Sequence, residues 1–206
     1  MKVHEEEMFD SNYDNMENLK PVIPEGNSDS ASLDNVFELL SMSGHSAPLT
    51  KLMLIPDAWS KKSKILPKNQ LKLFNFLNST MEPWDGPAAL AGTDNEWVIA
   101  ASDRNGLRPL RFTITRDKLL FAGSETGMVD LNEKKIIRKG RLGPGEIIGV
   151  RIEKGKVFTN SQIKDYLAKE YKHFNNQIID LDKKFPIEKE NNNYEGAELR
   201  KRQHTF

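Results

Sequence analysis

Helical spacing of apolar residues dominates the first third of the chain. Three segments show it: residues 33–40, 49–53 and 71–77. The first follows a polar run at residues 28–30, whose side chains can cap a helix, and we predict that this helix ends near Met42. Pro56 is expected to end the second helix. Pro67 can begin the third, because its fixed φ suits a first helical turn.

The pattern then changes to short apolar runs of the kind that form strands. Residues 87–92 and 97–101 flank a polar cluster at residues 93–96 and predict a β-hairpin. After a corner at residues 103–109, alternation resumes through residue 123, so we predict that these strands form one antiparallel meander. A further strand is predicted at residues 146–152.

Helices followed by antiparallel strands indicate the α+β class. We place residues 1–160 in one domain. Helical spacing returns in residues 161–206, which we assign to a helical linker or to the start of the following domain.

Charge and length exclude several classes of function. The chain has 206 residues, with 30 Lys and Arg side chains against 30 Asp and Glu side chains. Electrostatic attraction to nucleic acid or to an anionic membrane is therefore not expected. No apolar run approaches the roughly 20 residues of a membrane-spanning helix, and the first residues lack the apolar stretch of a secretory signal. We expect a cytoplasmic protein without nucleic-acid or membrane partners.

The sequence contains no cysteine. Disulfides, thiolate metal sites and a cysteine nucleophile are therefore excluded within these residues. The four histidines lie far apart, and none is spaced with a carboxylate as in a helical metal site. We expect no metal site in this chain.

The 103–109 corner carries the most distinctive motif. Asn105 and Gly106 both tolerate positive φ and by themselves indicate a tight turn. The pattern D-x-x-G-x-R-P that begins at Asp103, followed by Ser-Glu at residues 124–125, also resembles class II glutamine amidotransferase domains, which are N-terminal nucleophile hydrolases. Residues 81–89, 103–109 and 138–145 resemble more narrowly the glutaminase domain of glutamate synthase large subunits. Nearly the whole chain takes part in this resemblance.

The resemblance implies a four-layer αββα sandwich, of which this chain would form the C-terminal part, followed by the helical start of the next domain. Members of the family attack the glutamine amide with an N-terminal cysteine, whose free α-amine serves as the base. The family's oxyanion-hole residues and the arginine that binds the substrate carboxylate lie upstream of the position matched by Met1. We therefore expect a fragment that has no catalytic residues and is inactive on its own.

The resemblance implies one substrate contact within this chain. Asp29 matches the family acid that binds the α-ammonium group of glutamine, and we assign Ser28 beside it to the same site. A carboxylate just ahead of a helix lies near the free N–H groups of the first turn. The alternative for Asp29 is a plain helix cap.

A structural motif near the site is assigned to five residues: Asp103, Asn105, Gly106, Arg108 and Glu125. The family's oxyanion pair precedes the Asp29 element, whereas Asn105 follows it, so we interpret Asn105 and Gly106 as a structural turn. Arg108 is expected to be at least half-buried and paired with a nearby carboxylate. Glu82, Asp85 and Glu125 can line the site or cap turns.

The resemblance also implies partners and cofactors. A complete glutamate synthase hydrolyses glutamine and uses the ammonia to convert 2-oxoglutarate to glutamate by reductive amination. FMN and an iron–sulfur cluster are implied for the full-length protein, and neither is expected in this chain. The implied partners are glutamine, the remainder of the protein, and a small reductase subunit or ferredoxin. The sequence leaves open whether ferredoxin or a pyridine nucleotide donates the electrons.

Two other classes of function stay open. In a binding module, Trp59, Trp84 and Trp97 would form an exposed aromatic platform for a ligand or partner. In a regulator, Asp29 would sense glutamine without catalysis. Exposure of the tryptophans distinguishes the first class, and glutamine binding without ammonia release distinguishes the second.

Overall fold

The computed structural model describes residues 20–57 and 67–172. The helices are α1 (Asp29–Met42), α2 (Ala47–Leu54), α3 (Lys68–Thr80) and α4 (Asn160–Glu170), and a short 3₁₀ helix spans Glu133–Lys135. The strands are β1 (Ala89–Thr93), β2 (Trp97–Ser102), β3 (Leu110–Thr115), β4 (Leu120–Gly123), β5 (Ile136–Leu142), β6 (Ile147–Arg151) and β7 (Lys156–Phe158). Trp59 and residues 173–206 lie outside the described residues.

Helix α1 follows the predicted pattern. The Ser28 hydroxyl caps it by accepting a hydrogen bond from the Ala31 backbone N–H at 3.3 Å. The buried face consists of Leu33, Val36 and Leu40. After Met42 the chain leaves the helix through Gly44, whose φ of +93° costs a glycine little. The predicted end of this helix is confirmed.

Helix α2 is the central helix of its layer. It contacts α1, α3 and β2, and all 8 of its residues are buried. It ends at Leu54, just before Pro56, and α3 begins directly after Pro67. The bounds predicted from the two prolines are confirmed.

The strands form two antiparallel sheets, with the orders β1-β2-β6-β7 and β4-β3-β5. Strands β1 and β2 form the predicted hairpin, in which Ala91 lies opposite Ala100. The strand predicted at residues 146–152 is β6, which pairs with β2 so that Ile148 lies opposite Ala100.

The predicted single meander is wrong at the 103–109 corner. Strand β2 pairs with β6, while β3 belongs to the other sheet and pairs with β4 and β5. The corner therefore carries the chain from one sheet to the next. Alternation of apolar residues identifies a strand and its two faces, but it does not identify the strand that lies beside it.

Both faces of the four-stranded sheet are covered. Trp97, Ile99 and Ala101 of β2 face a core that they share with all four helices. Ala100 and Ile148 face the other way, into a second core whose remaining buried members are Leu110, Phe112 and Leu142 of the three-stranded sheet. The layers are therefore helices, four-stranded sheet and three-stranded sheet. The α+β class is confirmed, and the fourth layer implied by the resemblance stays a prediction.

Helix α4 packs in the same helix layer. Thr159 and Gln162 form a capping box at its start. Ile163 and Leu167 are buried in the core that also holds α1, α2 and α3. The domain boundary expected after residue 160 stays a prediction.

The turn between β1 and β2 also caps a distant helix. Oδ1 of Asp94 accepts hydrogen bonds from the backbone N–H groups of Glu96 at 2.7 Å and Trp97 at 2.5 Å. Oδ2 accepts from the N–H of Ala47, the first residue of α2, whose own N-cap residue Ser46 makes no capping bond with its side chain. Asp94 therefore provides an acceptor that the start of α2 otherwise lacks.

Asp94→Ala should lower the free energy of unfolding by about 2 kcal/mol, because three backbone N–H groups lose their acceptor. Urea unfolding followed by circular dichroism measures the change. Asn95→Ala, at the exposed neighbour in the same turn, is the matched control and should change the free energy by less than about 0.5 kcal/mol. Equal losses in the two variants would show that Asp94 is not a cap.

Candidate functional site

Asp103 holds the 103–109 corner together. Its side chain is 1% exposed. Oδ1 accepts hydrogen bonds from the backbone N–H groups of Asn105 and Leu107, both at 3.0 Å. Oδ2 accepts from the N–H groups of Arg108 at 3.0 Å and Ala88 at 3.3 Å. One carboxylate therefore fixes the corner and joins it to the segment that precedes β1.

These hydrogen bonds also set the charge of Asp103. Burial on its own would raise the pKa of the carboxyl, because the ionised form loses hydration. The backbone N–H donors, Arg108 foremost, outweigh burial and hold the pKa of Asp103 below its ordinary value of 3.8. Asp103 is therefore ionised at neutral pH.

The Asn-Gly pair forms a tight turn inside the corner. The Gly106 N–H donates to the Asp103 carbonyl at 3.1 Å, and Gly106 has a φ of +65°. A Cβ at this position would lie only 3.0 Å from Cγ of Pro144, so the turn needs glycine for space as well as for conformation. The exposed Asn105 side chain donates from Nδ2 to Oδ1 of Asp85 at 3.4 Å. Asp85 lines the cleft described next, whereas Asn105 and Gly106 do not.

A cleft of about 750 Å³ opens beside the corner. Its walls come from the start of α1, from residues 84–91 and from parts of β2, β3 and β4. The charged residues that line it are Asp29, Asp34, Asp85 and Arg108. The volume is in the range of small-molecule sites.

Asp29 is the first residue of α1 and is exposed at this cleft. Ser28 supplies the cap of the helix, and in the described part of the chain no hydrogen bond or ion pair engages the Asp29 carboxylate. The Trp84 indole N–H donates to the Asp29 carbonyl at 3.2 Å and fixes the backbone there. The carboxylate thus lies at the positive end of the helix and is available to a ligand.

The expectation that Arg108 is at least half-buried is wrong. Arg108 lines the cleft, but its side chain is exposed. Within residues 20–57 and 67–172, it forms no ion pair with a carboxylate. Arg108 stabilises the corner through its backbone N–H, which donates a hydrogen bond to the Asp103 carboxylate, and not through its guanidinium group.

The expected acids fall into two places. Asp85 lines the cleft, and Glu82 joins Asp29 and Asp85 around a smaller hollow of about 200 Å³. Glu125 is exposed and lines a separate hollow of about 580 Å³ beside β3, β4 and β5, whereas its neighbour Ser124 lines the cleft. The structure therefore brings Asp29, Asp85 and Arg108 to one cleft and places Glu125 elsewhere.

Comparison with known proteins decides the family. The sequence profile of the family described as Glutamine amidotransferases class-II matches residues 1–176. The chain belongs to the class II glutamine amidotransferases. The resemblance drawn from the 103–109 corner and its companion motifs is confirmed.

Several relatives of this amidotransferase chain are glutamate synthases. The glutamate synthase (NADPH) large chain of Azospirillum brasilense is 46% identical over 212 residues, which cover 100% of this chain and 14% of that protein. The glutamate synthase (NADPH) large chain of Bacillus subtilis is 33% identical over 172 residues, covering 83% of this chain and 11% of that protein. The ferredoxin-dependent glutamate synthase 2 of Synechocystis is 41% identical over 157 residues, covering 76% of this chain and 10% of that protein. The chain thus spans a small part of the length of these relatives.

A group of buried charges lies beneath the corner of this amidotransferase chain. Lys51 of α2 is 1% exposed and Lys164 of α4 is 3% exposed. Lys164 forms an ion pair with Asp57. Nζ of Lys51 donates to the Gly145 carbonyl at 2.5 Å, and the Gly145 N–H donates to the Asp103 carbonyl at 2.8 Å. Burial lowers the pKa of Lys51 from 10.5 to about 8, against the opposing attraction of Asp57.

The exposed tryptophan platform is wrong for the two tryptophans that the structure describes. Trp84 is 9% exposed and Trp97 is 1% exposed. Trp97 packs edge-on against Phe158, with ring centroids 5.1 Å apart. Trp59 lies outside the described residues. Both described indoles belong to the core of the amidotransferase domain.

The described ranges contain neither a metal-binding cluster nor a membrane-spanning helix. Residues 20–57 and 67–172 contain no group of three or more His, Cys, Asp or Glu side chains placed to hold a metal ion. No helix in the described part of the amidotransferase chain is long and apolar enough to cross a bilayer. The cytoplasmic location stays a prediction.

Proposed function

We propose that this chain supplies one wall of the glutamine site of a glutamate synthase, and that Asp29 binds the α-ammonium group of glutamine. The observation that carries the proposal is the position of Asp29. It begins α1 at the cleft, and in the described part of the chain its carboxylate has no protein partner. Membership of the class II glutamine amidotransferases supports glutamine as the ligand.

The chemistry of this contact favours an amino acid. An exposed carboxylate accepts charge-assisted hydrogen bonds from an ammonium group, and these are stronger than hydrogen bonds between neutral groups. Ser28 belongs to the same proposed site: its hydroxyl oxygen caps α1 and lies 3.3 Å from the hydroxyl of Ser30, which lines the cleft. Asp103, Asn105, Gly106 and Arg108 form the supporting corner, and we assign the substrate carboxylate to no residue of this chain.

For the longer protein we propose glutamine-dependent synthesis of glutamate, as the names of the relatives suggest. Ammonia from glutamine would be used for the reductive amination of 2-oxoglutarate, with electrons from ferredoxin or through a small reductase subunit. FMN and an iron–sulfur cluster would supply the electron transfer. This chain has no cysteine with which to bind such a cluster, so we assign the cluster to residues other than these 206. We assign FMN to the remainder of the longer protein as well.

The 206-residue chain alone should release no ammonia from glutamine above the buffer rate. Family chemistry proceeds through a covalent intermediate on a cysteine, and the chain contains none. A coupled ammonia assay on the purified chain measures this, with a full-length glutamate synthase as the positive control. Turnover that scales with the concentration of the chain and survives repurification would contradict the expectation.

A further inference from the structure

The buried charges meet a loop that touches the corner from behind. This loop, residues 143–146, connects β5 to β6. Its Gly145 accepts a hydrogen bond from Lys51 and donates one to the Asp103 carbonyl. The Glu146 carbonyl accepts from the N–H of Ser102, the residue before Asp103. The loop is therefore the physical link between α2 and the corner.

The loop is confined on its other side. Gly145 has a φ of +69°, and a Cβ there would lie 2.9 Å from Oδ1 and 3.0 Å from Cα of Asp57. Pro144 packs against Gly106 of the corner turn, and the Gly143 N–H donates to Oε2 of Glu146 at 2.7 Å. A loop packed this closely passes a shift of its carbonyl group on to the corner.

The lysine at position 51 is not required by packing. Its neighbours in α2 are mostly apolar, and an apolar side chain of similar length would fill the same space without an ammonium group to desolvate. The charged groups that act on Lys51 from the surrounding elements are Asp57, Lys164, Asp103 and Glu146. What the ammonium group adds is its hydrogen bond to the Gly145 carbonyl.

We propose that Lys51 is a positioning residue for the cleft. Its ammonium group fixes the Gly145 carbonyl, and the Gly145 N–H in turn fixes Asp103. The Asp103 carboxylate then holds the backbone of Arg108 at the cleft wall. The effect on glutamine binding rests on the proposed function, whereas the effect on the corner rests on this geometry alone.

Lys51→Met tests the proposal, with Lys164→Met as the matched control. Both variants remove a buried ammonium group from a helix in the same cluster, but only Lys51 is bonded to the loop. Hydrogen exchange at the amides of Gly145, Leu107 and Arg108 should become about tenfold faster in Lys51→Met, because their closed state is less stable. Amides of the β1–β2 hairpin should keep their rates. Lys164→Met acts on the loop only through Asp57, which packs against Gly145, so the corner amides should change less in this variant than in Lys51→Met.

Glutamine affinity is the readout that a purely structural role would not move. At a temperature well below the unfolding transition of each variant, the dissociation constant for glutamine should rise about fivefold in Lys51→Met and by less in Lys164→Met. Uniformly faster exchange in hairpin and corner, or unchanged corner amides in Lys51→Met, would overturn the proposal. If the longer protein that contains this chain binds no glutamine, the proposed function fails, and the amide pattern still decides the role of Lys51.

The wild-type chain provides a measurement that needs no variant. In a sample with ¹⁵N-labelled lysine, the Nζ protons of Lys51 should exchange slowly with water and show nuclear Overhauser contacts to residue 145. Fast exchange without such contacts would overturn the proposal even if Lys51→Met failed to fold.

Discussion

Asp103→Ala should lower the free energy of unfolding by about 3–4 kcal/mol, which is at the upper end for a single substitution. The change removes the acceptor of four backbone N–H groups: those of Ala88, Asn105, Leu107 and Arg108. These groups lie where the chain passes between the two sheets, so the loss affects both. Urea unfolding at pH 7, followed by circular dichroism, measures it.

Two further variants separate the role of the carboxylate from that of any surface acid. Asp117→Ala breaks an exposed ion pair with Lys135, whose atoms are 2.9 Å apart, and should cost less than about 1 kcal/mol. Asp103→Asn keeps the shape of the side chain. Its NH₂ group, however, replaces an oxygen that accepted hydrogen bonds from backbone N–H groups, so this variant should lose most of the stability that Asp103→Ala loses. An unchanged unfolding midpoint in Asp103→Asn would show that the charge does not organise the corner.

The pH dependence has a defined sign. The pKa of Asp103 in the folded chain lies below its ordinary value of 3.8. The unfolded chain therefore binds this proton more readily, so the stabilisation is complete above about pH 5 and is lost progressively as the pH falls below the unfolded value and through the folded value. The stability difference between wild type and Asp103→Asn should shrink between pH 5 and pH 2, in urea unfolding measured across that range. A difference that grows on acidification would contradict the assignment.

Asp29→Ala should weaken glutamine binding about tenfold to a hundredfold while the chain stays folded. A charge-assisted hydrogen bond to the ammonium group contributes about 1.5–3 kcal/mol, which converts to this change in the dissociation constant. The apparent KM of the longer protein for glutamine reports the affinity, and urea unfolding of the 206-residue chain measures the stability.

Glu38→Ala is the matched control for Asp29→Ala. Glu38 is an exposed acid on the same helix, and it does not line the cleft. Its removal should leave the affinity for glutamine unchanged. If Asp29→Ala instead lost about 1 kcal/mol of stability at constant affinity, the Asp29 carboxylate would only stabilise the first turn of the helix, and the assignment would be wrong.

The helices could be predicted because local sequence determines them. Leu33 to Leu40 repeat at helical spacing, and Gly44 provides the left-handed residue that follows the helix. Pro56 and Pro67 limit α2 and α3 for steric reasons that depend on no distant residue. The family could be predicted from the corner motif for a similar reason, since the motif residues are close in sequence.

The arrangement of the sheets could not be predicted in the same way. Strand β2 finds its partner β6 at a large sequence separation, and the two runs carry no signal that specifies the pairing. The hydrogen bond from Ala47 to Asp94 could not be predicted either. An aspartate in a turn already has local N–H donors, so its sequence gives no sign of a distant one.

The buried charges were missed although one signal was available. Lys51 lies in a helix whose other residues are apolar except Thr50, so a lysine there is either exposed at an edge of the helix or buried with a partner. The sequence does not identify that partner, the Gly145 carbonyl, because a backbone acceptor has no sequence signature. For Arg108 the prediction was wrong because it assigned a role to the side chain. The backbone N–H of Arg108 supports the corner instead.

One titration tests the central claim most directly. The longer protein that contains this chain, and its Asp29→Ala variant, are each titrated with L-glutamine and with 4-carbamoylbutanoate, which is glutamine without its α-amino group. If Asp29 binds the ammonium group, removal of the amino group should weaken binding to the wild type about tenfold or more and should have little further effect on Asp29→Ala, so that the two changes are strongly coupled. Equal and additive losses in the wild type and the variant would show that Asp29 does not contact the ammonium group of glutamine.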